Sequence, residues 1–214
     1  MKKINLNILS DLEIMENLLP LISLSKEEDE DISLKHIKGI TLNDTDMSNV
    51  CFKETIFENC KFINCSIIKS DFIDVLFKSC DLSNSNLSDG YFNRCEFNSC
   101  KAVGVNIQNG NLQNIEISDS NFKYANFDLS KFKDVNISNS DLSNGNISEC
   151  KLKSLELNGA SFINTNFFKT PLKGIDFTDS FINGIIVSAE ELKGAVVSVI
   201  QASELAKLLG VIVK

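Results

Sequence analysis

The chain has 214 residues, a net charge of −8 at pH 7, seven cysteines, a single histidine and no tryptophan. That is the length of one domain with terminal elements, and an acidic chain without surface aromatics for base stacking speaks against direct binding of nucleic acid. One histidine excludes His-based triads and His-rich metal sites, and no apolar run reaches the length of a membrane span.

The start, Met1-Lys2-Lys3-Ile4-Asn5, is basic but lacks a long apolar stretch, so no signal peptide is expected and a cytoplasmic location is. Ser10-Asp11-Leu12-Glu13 reads as a capping box. Leu12, Met15, Leu18 and Leu19 then follow helical spacing up to Pro20, which predicts a short helix over 11–19 that covers the end of whatever follows. Lys26-Glu27-Glu28-Asp29-Glu30-Asp31 reads as a solvated loop. Residues 1–31 thus form an N-terminal cap and acidic linker.

From Leu42 to Ile182 every fifth residue is apolar, with no insertion or deletion. The 29 centres are 13 Phe, 8 Leu, 6 Ile, Met47 and Ala102. Two residues before each centre stands an uncharged, mostly small residue, and the remaining three are mostly Asn, Asp, Ser, Lys and Glu. A period of five is neither helical nor a flat strand; it needs a chain that turns a corner once per repeat. One large and one small inward residue per repeat line the wall of a tube, and stacked coils bury them in one continuous core, as in solenoids. Cys60, Cys65, Cys80, Cys95, Cys100 and Cys150 all fall at the small inward position, which suits reduced packing thiols better than metal ligands or disulfides. Ala102, the one small centre, predicts a cavity or a bend. No phosphate-binding glycine loop or dinucleotide fingerprint occurs, and neither cofactor nor metal is expected.

The end departs from the lattice. Ser188-Ala189-Glu190-Glu191 reads as a capping box for a short helix stopping at Gly194. Ser198-Val199-Ile200-Gln201 reads as a second, opening a helix to Leu209 with Gly210 as its stop, and Val211-Ile212-Val213 as a short strand. Val199, Ile200, Ala202, Leu205, Leu208, Leu209 and Val211 make this segment too apolar to lie with one side in water. Two readings stand: a plug on the open end of the core, or a plug that also forms a two-fold dimer contact.

The lattice resembles the pentapeptide-repeat family, whose repeat is A(D/N)LXX. Cys80-Asp81-Leu82-Ser83-Asn84, Ser85-Asn86-Leu87-Ser88-Asp89 and Ala125-Asn126-Phe127-Asp128-Leu129 carry the resemblance, which spans about residues 32–187. It implies an all-β solenoid, a right-handed quadrilateral β-helix with four repeats per coil, followed by a C-terminal helical cap over 188–214. The ending from Val187 to Val211 resembles that of the quinolone-resistance (Qnr and MfpA type) group. That likeness implies a non-enzymatic homodimer joined through its C-terminal ends, which binds DNA gyrase or topoisomerase IV as a rod resembling duplex DNA. The unbroken lattice resembles the loop-free members.

Twenty residues per coil sorts the side chains onto walls. The wall centred on Phe57 through Phe177 carries Glu58, Glu96, Glu116, Asp119, Glu156, Asp176 and Asp179 against one cation, Lys78, and is the expected partner-binding face. The preceding wall carries Lys133, Lys153 and Lys173 as a ladder. Asn86, Asn106, Asn126, Asn146 and Asn166 form a column of stacked amides, read as structural. The first 31 residues hold −5 of the charge and the solenoid −3, less than a uniform duplex mimic would carry. The competing reading is a structural or scaffold module for an unrelated protein partner, with no membrane contact in either case.

Overall fold

A computed structural model describes residues 4–8 and 11–213, apart from the side chain of Leu209. Its organising feature is the residue two places after each lattice centre. From Asp44 to Lys169 all of these positions have left-handed backbone, the non-glycine ones with φ from 46° at Glu54 to 64° at Leu129. That region is costly for L-residues and worst for β-branched ones. No Val, Ile or Thr stands at any of them, and Asn and Asp are the commonest occupants. These are the corners.

The strands are β1 (Glu13–Met15), β2 (Ile32–Ser33), β3 (Lys35–Lys38), β4 (Thr41–Asn43), β5 (Cys51–Glu58), β6 (Lys61–Ile63), β7 (Asp71–Lys78), β8 (Tyr91–Asn98), β9 (Asn111–Ser118), β10 (Lys131–Ser138) and β11 (Lys151–Asn158). All their pairings are parallel, and from β5 onward the register steps by twenty residues, as in Phe72↔Phe92 and Phe132↔Leu152. Four repeats therefore make one coil. Each eight-residue strand runs across two walls and bends at its corner residue, which drops out of the ladder. The other two walls are tight turns joined by single parallel bridges such as Asp81↔Lys101 and Asn86↔Asn106.

Inside, the centres stack coil on coil. Phe57, Phe77 and Phe97 lie face to face with centroids 5.1 and 4.8 Å apart, and Phe52, Phe72 and Phe92 do the same at 5.4 and 4.9 Å. The small inward residues stitch the coils together. Ser85 Oγ accepts from Cys65 N at 2.9 Å and donates to Phe62 O at 2.7 Å; Thr170 Oγ1 does likewise with Cys150 N and Ile147 O. The thiols of Cys80, Cys95 and Cys100 each donate to a carbonyl of the preceding coil at 3.3 Å. Small size and one weak donor explain cysteine here. Ala102 is fully buried, and Phe122, one coil on in its column, meets Phe97 edge-on at 5.7 Å.

The N-terminal elements differ from expectation. Residues 13–15 are strand β1, parallel to Lys35–Ile37, because the open ladder of the first coil takes a partner. The helix α1 is Leu19–Glu28, with Pro20 in its first turn and Asp29 in left-handed conformation at its end. Pro lacks an N–H and fits the first turn of a helix, so Pro20 begins this one instead of ending one. The charge run consequently closes a helix, and Ser10 of the expected capping box lies outside the described residues. Leu18 and Ile22 are buried against the first coils and close that end of the core.

At the other end, the Ser188 box forms in part: Ser188 N donates to Glu191 Oε2 at 2.8 Å, while the Ser188 Oγ accepts from Glu190 N at 3.3 Å rather than from Glu191 N. The predicted helix does not. Residues 189–194 are turns held in coil register by Leu172 N to Glu191 O and Gly174 N to Gly194 O, so tertiary pairing overrides the local signal. Helix α2 (Val199–Ala206) continues as a 3₁₀ turn over Lys207–Leu209 and stops at Gly210, φ 76°, as the spacing predicts. Residues 211–213 are irregular, not a strand. Among the described residues no helix is long and apolar enough to cross a membrane.

Candidate interaction surface

The parallel register brings Glu96, Glu116, Asn136 and Glu156 into one axial column on β8–β11, and the twenty-residue step continues it to Asp176. Glu156 and Asp176 are exposed, while Glu96 and Glu116 are half-buried between neighbouring rows. Coils spaced by about 4.8 Å put neighbouring carboxylates near the distance at which two like charges in water repel by only about 1 kcal/mol, a cost a solvated wall tolerates. Asp119 and Asp179 flank the column at the exposed edge, where Asn139 Nδ2 donates to Asp119 at 3.3 Å. Asp176 takes the N–H and hydroxyl of Thr178 at 2.9 and 2.7 Å, which hold its carboxyl below the usual range.

Glu58 belongs to the wall by sequence but not by charge. Lys78, Lys38 and His36 surround it at 3.0, 3.4 and 3.1 Å. The Lys78 ammonium leads in holding the Glu58 carboxyl at about 2. The acidic field therefore begins at Glu96.

The adjoining wall is basic. Lys131 pairs in register with Lys151 and Lys133 with Lys153, all exposed, with Lys173 in the next coil. None of them joins an ion pair among the described residues. Between the two walls runs the corner row Asp74, Arg94, Asn114, Asp134 and Ser154. Here Arg94, the only arginine of the chain, grips Asp74 with Nε and Nη2 at 2.6 Å each, and the N–H of Asn7 donates to the same carboxylate at 2.9 Å. The sequence reading missed this N-terminal segment. Its signal was present: Ile56, Ile73 and Leu76 are the only aliphatic outward residues on the six long strands.

The amide column is structural. Asn106 Nδ2 donates to Asn86 Oδ1 at 3.0 Å and Asn166 Nδ2 to Asn146 Oδ1 at 3.3 Å, while the Oδ1 of Asn86, Asn106, Asn126 and Asn166 each accept a backbone N–H two residues on. All seven cysteines are free, and burial pushes the thiols of Cys95 and Cys150 up to about 12. The described residues contain no group of three or more His, Cys, Asp or Glu placed to hold a metal.

The C-terminal end is a second surface. Ser198 and Gln201 form a reciprocal cap, and Gln201 Nε2 also donates to Phe177 O at 2.7 Å and Ser180 O at 2.8 Å, pinning α2 to the last coil. Leu205 packs on the core. Val199 and Ile200 are 88% and 78% exposed, and Ala202, Leu208 and Val211 are exposed too, with Phe181 lining the same groove as Ile200. Leu209 lies outside the described side chains. Plugging the core uses only part of this apolar face.

Residues 70–147 match a family model described as a pentapeptide repeat region, and residues 40–78 one described as pentapeptide repeats in eight copies; together they cover half of the chain. No curated protein sequence matches. Among solved structures, a trypsin-treated variant of QnrB1, a plasmid-mediated fluoroquinolone resistance protein, aligns over 85% of this chain and 99% of its own at 22% identity and a TM-score of 0.53. That likeness is one of fold. A pentapeptide repeat protein from the thylakoid lumen of Arabidopsis thaliana aligns at 20% identity over 42% of this chain and 63% of its own, TM-score 0.40. Rfr23 from the cyanobacterium Cyanothece 51142 aligns at 14% identity over 65% and 95%, also with a TM-score of 0.40.

Proposed function

The chain belongs to the pentapeptide-repeat family, and from that premise we propose that it is a non-enzymatic binding protein, dimeric through its C-terminal end, that presents its acidic wall to the basic DNA-binding groove of DNA gyrase or topoisomerase IV. The observation that carries this reading is the axial column Glu96, Glu116, Glu156 and Asp176 on a rigid rod. A strand of duplex DNA places a phosphate every 3.4 Å or so, whereas the rod steps by about 4.8 Å per coil and carries a carboxylate at four of the five column positions, Asn136 standing at the third. The match is one of sign and linear order, which steers encounter and selects a basic groove. Exposed Val199 and Ile200 supply the apolar face for the dimer. No cofactor or metal takes part, and the location is cytoplasmic.

A gyrase supercoiling titration, with and without a fluoroquinolone, tests it. Inhibition or drug rescue is expected, and reversing Glu96, Glu116 and Glu156 to Lys abolishes either effect. Unchanged inhibition by that variant would sink the acidic-wall mechanism.

One observation favours a second reading, a scaffold module with an unrelated protein partner. The exposed ladder Lys131, Lys133, Lys151 and Lys153 lies beside the acidic wall, giving a two-signed surface unlike a duplex. Under it the protein leaves supercoiling untouched, and pull-down with the lysine ladder intact and with it neutralised identifies the partner face.

A further inference from the structure

The wall entered at residues 61, 81, 101, 121, 141, 161 and 181 hangs, in each of these coils, on the coil before it, from Lys61 N donating to Ile40 O at 2.8 Å through Phe181 N donating to Ala160 O at 2.9 Å. Strand β4 (Thr41–Asn43) begins this wall and pairs only with β6. By the same step the N–H and C=O of Thr41 would meet Pro20 O and Ile22 N. Both belong to helix α1, where Ile22 N donates to Leu18 O at 3.0 Å, and the Thr41 N–H and C=O find no partner among the described residues. The neighbouring wall differs, since β1 covers the edge of β3. In front of the bare edge a groove of about 480 Å³ opens between Leu18 and Leu19 at the start of α1 and Ile40, Thr41 and Leu42. Leu19 is 47% exposed and Leu42 half-buried. An unpaired edge beside apolar side chains is a template for one more extended strand.

We propose that this edge is a docking site for a second copy of the chain: Val211-Ile212-Val213 of one molecule adds to Thr41–Asn43 of another as a short extra strand. Val and Ile are strand formers, yet residues 211–213 are irregular and exposed, Ile212 at 83%. One end of the rod thus holds a strand-forming run without a sheet, and the other a sheet edge without a strand. The two cannot meet within one molecule. Thr41 and Phe181 are seven coil steps apart, about 34 Å. Gln201 pins α2 to the last coil, and the three residues beyond Gly210 reach only about 10 Å. In the added strand Val211 and Val213 share one face and Ile212 takes the other, so apolar side chains come against Leu19 and Leu42 whichever face turns inward. The contact is head-to-tail, one molecule's segment on another's edge, and is separate from a two-fold contact through Val199 and Ile200.

Three paired residues make a weak contact, so the probe is a fluorescent peptide of residues 207–214, with the full chain titrated into it to the limit of solubility. Anisotropy reads binding, and amide NMR reads the Thr41 N–H. Saturable binding with a shift of the Thr41 amide is expected. Thr41→Pro removes that donor on the open side of an edge strand, where proline is tolerated, and should weaken binding about tenfold. Leu19→Glu leaves the backbone alone and should weaken it comparably, and a peptide carrying Ile212→Pro should do the same. The protein with Val199→Ser and Ile200→Ser binds the peptide as the unaltered protein does. Absence of binding, binding that leaves the Thr41 amide unmoved, or equal affinity for Thr41→Pro and Leu19→Glu overturns the proposal. Binding lost in the Val199→Ser, Ile200→Ser protein would put the peptide on the two-fold face and overturn it as well. Equal affinity for a strand-forming peptide of unrelated sequence would reject a second copy as the occupant.

Discussion

Replacing Val199 and Ile200 by Ser perturbs the end-to-end dimer and little else. Both side chains lie at the start of α2, 88% and 78% exposed, so nearly all their burial remains to be gained on association. The Ser198 cap and the Gln201 bonds to Phe177 O and Ser180 O are untouched, and the helix keeps its place. Burying a Val or Ile side chain contributes about 1.5–3 kcal/mol. A two-fold interface uses each residue twice, so four side chains represent a gross gain of about 6–12 kcal/mol. Lost translational freedom and imperfect packing consume much of such a gain. If a third survives, the double variant weakens dimerisation by about 2–4 kcal/mol, roughly thirtyfold to a thousandfold in Kd. Sedimentation and light scattering over a dilution series read the outcome. The unaltered protein is expected at twice the 23.7 kDa chain mass, and the variant at one chain with an unchanged circular dichroism spectrum. An unchanged dissociation constant, or an unaltered protein that is monomeric throughout, refutes the end-to-end dimer.

Three further outcomes follow from the core and the wall. Phe77→Ala empties a site stacked between Phe57 and Phe97 and should cost about 4 kcal/mol, lowering Tm by roughly 8–16 °C in a calorimetric scan; a fall of a degree or two would mean the stack is not tightly packed. Ala102→Leu should destabilise by about 1–3 kcal/mol in urea, because the residue is fully buried in a packed core; stabilisation would reveal a cavity instead. Glu58, held at about 2 chiefly by Lys78, has a folded pKa below the unfolded carboxylate value of about 4.3. Its stabilising effect is thus fully present above about 4.3 and is lost as pH falls through 2. Carboxyl NMR titration should give a midpoint near 2 that rises when Lys78 is replaced by Met, and a midpoint above 4 in the unaltered protein would remove the Lys38–Glu58–Lys78 cluster from the account.

The solenoid was legible because its information is local and repeated. A large apolar residue every five, a small uncharged one two places before it, and no β-branched residue at the corner position prescribe one conformation per repeat, and stacking supplies the rest. The α2 cap at Ser198 and its stop at Gly210 were legible for the same reason, being short-range hydrogen-bond and backbone signals. The tertiary structure decided whatever depended on partners distant in sequence. Ser188-Ala189-Glu190-Glu191 carries a valid helix start, yet the ladder to Leu172 and Gly174 keeps it a turn. Pro20 opens α1, and residues 13–15 become a strand because the first coil offers them an edge. Glu58 counts as acidic in the sequence and is neutralised by lysines twenty residues to either side. The segment 4–8 settles across the corner because Asp74, some seventy residues on, receives its N–H. Periodicity specifies how each repeat turns, whereas charge, capping and terminal docking depend on which side chains the turning brings together.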